Sequence, residues 1–105
     1  MLFSNKVLAE QKFTYPAKAP YVADIKQKLG AIFKEYNFSY KDTNNMMVVL
    51  DEACSNIIKH AYKGEEGDID FEVQVREKGL YITIIDHGKS FNWKAFRTPN
   101  LNHYV

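Results

Sequence analysis

Between Tyr62 and Ile69 the spacing of apolar residues changes period, and this change constrains the fold more than any other feature of the chain. Before it, Val22, Ile25, Leu29, Ile32, Phe33 and Tyr36 recur every three or four residues, and Met46, Met47, Leu50, Ala53, Cys54, Ile57, Ile58 and Ala61 form a second stripe. That is the spacing of one helix face. After it, Ile69, Phe71, Val73 and Val75 alternate with Asp70, Glu72, Gln74 and Arg76, the pattern of a strand buried on one side. Helix stripes and a one-sided strand bury each other most simply as two layers.

Local signals set the boundaries. Pro20 suits a first helical turn, where its missing N–H costs nothing. Gly30 is an awkward interior residue, and Asn37-Phe38-Ser39 reads as a break. Ser39 or Asp42 can cap the second helix, which is expected to run to about Tyr62 and end in the loop Lys63–Gly67. Glu77-Lys78-Gly79 reads as a hairpin connection, followed by a strand over Leu80–Ile85 that ends at Asp86. Upstream, Phe13 and Tyr15 alternate with Lys12 and Thr14 and stop at Pro16, which predicts an edge strand within Leu8–Tyr15. His87 to Val105 shows no periodicity and reads as loop, with Phe91, Trp93, Phe96 and Tyr104 available to cover apolar surface or pair with another copy. The expected class is α+β: a two-layer α/β sandwich, both helices on one face of a mixed, mostly antiparallel sheet.

With 105 residues the chain suits one domain, residues 1–105. Fourteen Lys and Arg against thirteen Asp and Glu leave a charge of +1, which is no footprint for nucleic acid. No apolar run approaches a membrane span, and the first residues lack the pattern of a secretory signal. A single cysteine carries no oxidising-compartment signature. These features predict a cytoplasmic protein that binds neither nucleic acid nor membrane.

The candidate chemistry lies on the second helix and at the end of the last strand. Glu52, Asn56 and His60 are spaced four apart and make one stripe, with Asn45 on the same line. At about 100° per residue the stripe falls roughly opposite the apolar one, away from the sheet. A solvated face is the ordinary reading of such a stripe. Against it, Asn and His are mediocre helix formers, and Lys59 is the one long basic residue nearby. Asp86 shares strand parity with Leu80, Ile82 and Ile84 and so is expected to point between the layers. Gly88, two residues on, lets a backbone or flat ligand approach closely. Cys54, on the apolar stripe, is expected to be a core thiol. His60, His87 and His103 form no zinc-type cluster with it.

In combination these segments resemble a known superfamily. Leu50-Asp51-Glu52-Ala53-Cys54-Ser55-Asn56-Ile57-Ile58-Lys59-His60-Ala61-Tyr62 looks like the N box (50–62) of the histidine-kinase-like ATPases, and Asp86-His87-Gly88-Lys89-Ser90-Phe91 looks like their Asp-x-Gly box (86–91). Within that superfamily, Glu-Ala-x-x-Asn-x-x-x-His-Ala-Tyr most resembles the bacterial anti-sigma-factor serine kinases. The resemblance implies a Bergerat-type ATP-binding fold with ATP and Mg²⁺ as cofactors. It implies Glu52 as the catalytic base, Asn56 as the Mg²⁺ ligand, Asp86 as the acceptor for the adenine amino group and Gly88 as room for the base. His60 matches the motif at the cofactor site without an assigned step. The implied partners are a sigma factor and an antagonist protein phosphorylated on Ser. It further implies a lid starting in residues 92–105 and then a second glycine-rich motif. Gly88 is the last glycine, so the expected fold is incomplete, and domain exchange in a homodimer is one route to completing it. The alternatives are a nucleotide- or partner-binding module without turnover, for want of that phosphate-binding loop, and a plain interaction domain.

Overall fold

Apolar faces of both periods meet in a single core. The computed structural model describes residues 5–62, 66–86 and 89–96. The order is β1 (Val7–Pro16), a 3-10 turn (Ala19–Tyr21), α1 (Val22–Glu35), α2 (Tyr40–Asn56), a π turn (Ile57–Ala61), β2 (Asp68–Arg76), β3 (Gly79–Asp86) and β4 (Lys89–Phe96). The strands form one four-stranded sheet in the order β1-β2-β3-β4. All three pairings are antiparallel, so no parallel pair occurs among the described strands.

The core is built as the two periods require. From the helices it takes Ile25, Leu29, Ile32, Phe33, Met46, Leu50 and Cys54; from the sheet it takes Ile69, Phe71, Val73, Val75, Leu80, Ile82 and Ile84. Asp70, Glu72, Gln74 and Arg76 lie on the other face of β2, exposed or half-buried. Phe13 sits opposite Phe71 in the β1–β2 register, with the rings stacked at 5.1 Å. The expected two-layer sandwich is therefore present, with β1 as an edge strand.

The helix ends follow capping rules. Ser39, rather than Asp42, caps α2: its Oγ accepts from the Asp42 backbone N–H at 3.1 Å. After α1 the chain turns at Asn37, whose φ of 59° is left-handed. The Asn37 N–H donates to the Lys34 carbonyl and the Phe38 N–H to the Phe33 carbonyl, and the Phe33 and Phe38 rings touch at 4.7 Å. This is a Schellman ending with its apolar contact. Gly30 also has a packing reason: a Cβ there would stand 3.0 Å from Met47 Cε, where α1 and α2 approach.

Three sequence expectations are corrected. Gly79 is not part of the hairpin connection; it pairs with Arg76 and leaves a two-residue turn, Glu77-Lys78. That turn is held from far away in sequence, the Glu77 N–H donating to the Lys6 carbonyl and the Lys78 N–H to Asn5 Oδ1. The segment read as loop, and from residue 92 as the start of a lid, contains β4, which pairs with β3 from Asp86↔Lys89 to Gly79↔Phe96. Phe91, Trp93 and Ala95 alternate with Asn92 and Lys94, a run too short to stand out beside the aromatics around it.

The third correction concerns the second helix, which is not α-helical to Tyr62. Its last turn is a π turn, closed by the Tyr62 N–H donating to the Ile57 carbonyl. Burial supplies the cause. Met46, Leu50, Cys54 and Ile57 are buried at steps of four, four and three, and Tyr62, five further on, is buried again. In an α-helix a step of five rotates about 140° off the face. An i→i+5 turn brings such a residue back.

Candidate functional site

Val49, Glu52, Ala53 and Asn56 lie along one side of α2, with Ile57 following at the start of the π turn; β3 contributes Ile84 and Asp86 from its end. Together they line a cavity of about 390 Å³ between the layers. Ile84 is buried and Asp86 half-buried, as their shared strand parity requires. Among the described residues, four apolar walls and three polar groups line it, the composition of a small-molecule site.

The polar groups divide the labour by position. Glu52 and Asn56 are exposed and one turn apart, hence neighbours on the helix. They offer hard oxygens at one wall, and Asp86 offers a carboxylate from the strand. Asp51, next to Glu52, is engaged elsewhere: its carboxylate accepts from Lys26 of α1 at 3.0 Å. No three His, Cys, Asp or Glu side chains converge on a metal-binding group among the described residues. The oxygens of Glu52 and Asn56 are of the hard donor type that Mg²⁺ accepts beside water and phosphate.

Residues 15–103 match the model of the histidine kinase-like ATPase domain. The chain belongs to that family. Among the curated relatives, it is 37% identical over 83 residues to "Serine-protein kinase RsbW" of Bacillus mycoides (strain KBAB4), covering 79% of this chain and 52% of the relative. It is 38% identical over 82 residues to the protein of the same name from Bacillus thuringiensis (strain Al Hakam), covering 78% and 51%. The chain spans about half the length of these relatives.

Within this histidine kinase-like ATPase domain, Glu52, Asn56 and Asp86 come together as candidates. Glu52 and Asn56 do not lie away from the sheet, as the helical wheel predicted; they flank a cavity that reaches β3. The wheel locates a face, but not the gap that opens beside it where Val49 and Ala53 are only half-buried. His60 is exposed and does not line the cavity. Gly88 lies outside the described residues. Sequence reading missed Val49, Ala53, Ile57 and Ile84 as walls. Ile84 carried a usable signal, being two residues before Asp86 on the same side of the strand.

Cys54 is fully buried. Burial, and secondarily the Asp51 carboxylate, push its thiol from 9.0 up to about 11. It is a core residue, not a nucleophile. Because the folded value lies above the unfolded one, its contribution to stability is complete below pH 9 and is lost as pH rises through 11. The expected result is a chain whose thiol ignores a disulfide reagent at pH 8 until urea is added. Its urea midpoint should fall between pH 9 and 11 more steeply than that of Cys54→Ala.

No helix among the described residues is long and apolar enough to cross a membrane.

Proposed function

We propose that this chain is the ATP-binding part of a cytoplasmic serine/threonine protein kinase of the anti-sigma-factor type, its partners being a sigma factor, an antagonist protein and a second copy of itself. One observation carries the reading: Glu52, Asn56 and Asp86 surround one apolar cavity in a chain of the histidine kinase-like ATPase domain family. The similarity to proteins named serine-protein kinases supports the choice of reaction.

In this reading the adenine ring lies against Val49, Ala53, Ile57 and Ile84, and its amino group donates to Asp86. Gly88 gives the base room. The Asn56 side-chain oxygen holds Mg²⁺, which when bound neutralises phosphate charge. Glu52 accepts the proton of the substrate serine as its Oγ–P bond forms and the bond to the ADP oxygen breaks. His60, beyond Asn56 along the helix, would meet only a phosphate chain extending past the cavity.

Calorimetric titration with ATP and ADP, with and without Mg²⁺, tests the reading. Mg²⁺-dependent binding of ATP is expected; no binding of either nucleotide overturns it, and binding without transfer to any protein serine favours a module that does not turn over. Asp86→Asn sharpens the test. A hydrogen bond to a charged acceptor contributes about 1.5–3 kcal/mol, so ATP affinity should fall roughly tenfold to a hundredfold. Because an Asn amide can also donate to the guanine carbonyl, preference for ATP over GTP should shrink as well. Unchanged discrimination would remove Asp86 from the base-binding role.

A further inference from the structure

Tyr62 closes the N box, yet the cavity does not use it. It is buried, and its hydroxyl donates to the Asp68 carbonyl at 2.6 Å. A Cβ on Gly67 would overlap the edge of the Tyr62 ring, so the ring occupies a notch that only glycine leaves open. The notch is itself anchored. The Gly67 carbonyl accepts from the Ala17 N–H at 2.8 Å, and Asp68 pairs with Pro16 at the end of the β1–β2 ladder. Tyr62 therefore ties the end of the second helix to a fixed rung of the sheet.

That tie bears on the site through the π turn. Tyr62 reaches the notch because its N–H bonds five residues back, to Ile57. Ile57 lines the cavity, and Asn56 immediately precedes it. With an ordinary α turn, Tyr62 would rotate away from the Asp68 carbonyl.

We propose that Tyr62 is a positioning residue of the cavity: its bond to the Asp68 carbonyl, in the Gly67 notch, holds the π turn that places Asn56 and Ile57. The proposal rests on the nucleotide reading for its consequence, but the link from Tyr62 to Asn56 is measurable without nucleotide. Tyr62→Phe keeps the ring and removes the hydroxyl. In the full chain, the side-chain amide signals of Asn56 should shift in ¹H–¹⁵N spectra while the signals of Leu80 and Ile82 stay in place. The dissociation constant for Mg-ATP should rise roughly three- to tenfold, the equivalent of one net hydrogen bond, with metal-free ADP changed by less than about twofold. Tyr62→Phe combined with Asn56→Ala should bind Mg-ATP no more weakly than Asn56→Ala alone, since both act through one contact. Unmoved Asn56 signals, or equal weakening toward both ligands, would overturn the proposal, the second because loss of fold affects both alike. Shifted Asn56 signals in a chain whose parent binds no nucleotide would uphold the link and sink the nucleotide reading.

Discussion

Phe71→Ala is expected to remove a large share of the chain's stability. Phe71 is fully buried, stacked on Phe13, and occupies the centre of β2 between two paired strands. Removing a buried aromatic ring destabilises by about 3–5 kcal/mol, because the lost burial and the remaining cavity add. A domain of this size holds only about 5–15 kcal/mol in total. The midpoint of urea unfolding should drop sharply with the slope unchanged, since the surface exposed on unfolding is nearly the same. Val48→Ala is the control: Val48 is 58% exposed, and such a change should stay within about 0.5 kcal/mol. The effect extends to the cavity. Phe71 pairs with Ile84, and Ile84 is a cavity wall two residues before Asp86. Any folded fraction of the variant should therefore bind nucleotide more weakly than the parent. A variant that unfolds at the parental urea concentration would mean that the Phe13–Phe71 stack is not the centre of the core.

What was legible in the sequence was whatever a period of two or 3.6 encodes over several turns. The stripe from Met46 to Ile57 placed Glu52 and Asn56 on one side of a helix, and the parity of Leu80, Ile82 and Ile84 carried through to Asp86. Both are repeating constraints, so single exceptions do not erase them. The π turn was not legible, because it shows as a single step of five from Ile57 to Tyr62 and as one bond from the Tyr62 hydroxyl to the Asp68 carbonyl, neither of which repeats along the helix. The same holds for Asn5 and Lys6, which tie down a hairpin more than seventy positions away. β4 failed for a different reason: its alternation covers only Phe91 to Ala95, and pairing with β3, not propensity, decides a strand that short. The cavity itself is a gap between layers, and neither period says where packing is left open. His60 continues Glu52 and Asn56 in sequence but lies inside the widened turn and outside the cavity lining, a placement that spacing along a regular helix does not give.

Glu52→Gln separates binding from chemistry at this site. The substitution keeps the shape of the side chain and its capacity to accept a hydrogen bond, but removes the negative charge and the ability to take up a proton. Nothing in the apolar walls or at Asp86 depends on it, so Mg-ATP binding by the variant should match the parent within about twofold, the scale of a minor contact at an exposed position. On the proposed kinase reading, transfer of the γ-phosphoryl group to a protein serine should fall by about 10²–10⁴-fold, the usual contribution of a positioned general base. This split distinguishes Glu52 from Asn56, only one turn away: Asn56→Ala should weaken Mg-ATP binding itself, because its oxygen is proposed as a cation ligand. It also distinguishes Glu52 from Asp51, whose carboxylate is paired with Lys26 and whose replacement by Asn should leave transfer nearly unchanged, since an exposed ion pair contributes about 0–1 kcal/mol. Radiolabelled ATP and a phosphoserine readout measure transfer, and calorimetry measures binding on the same preparations. Parental transfer by Glu52→Gln would take the base away from Glu52 while leaving the cavity as a nucleotide site. Joint loss of binding and transfer would instead make Glu52 a second cation ligand beside Asn56, two oxygens one helical turn apart on the same wall.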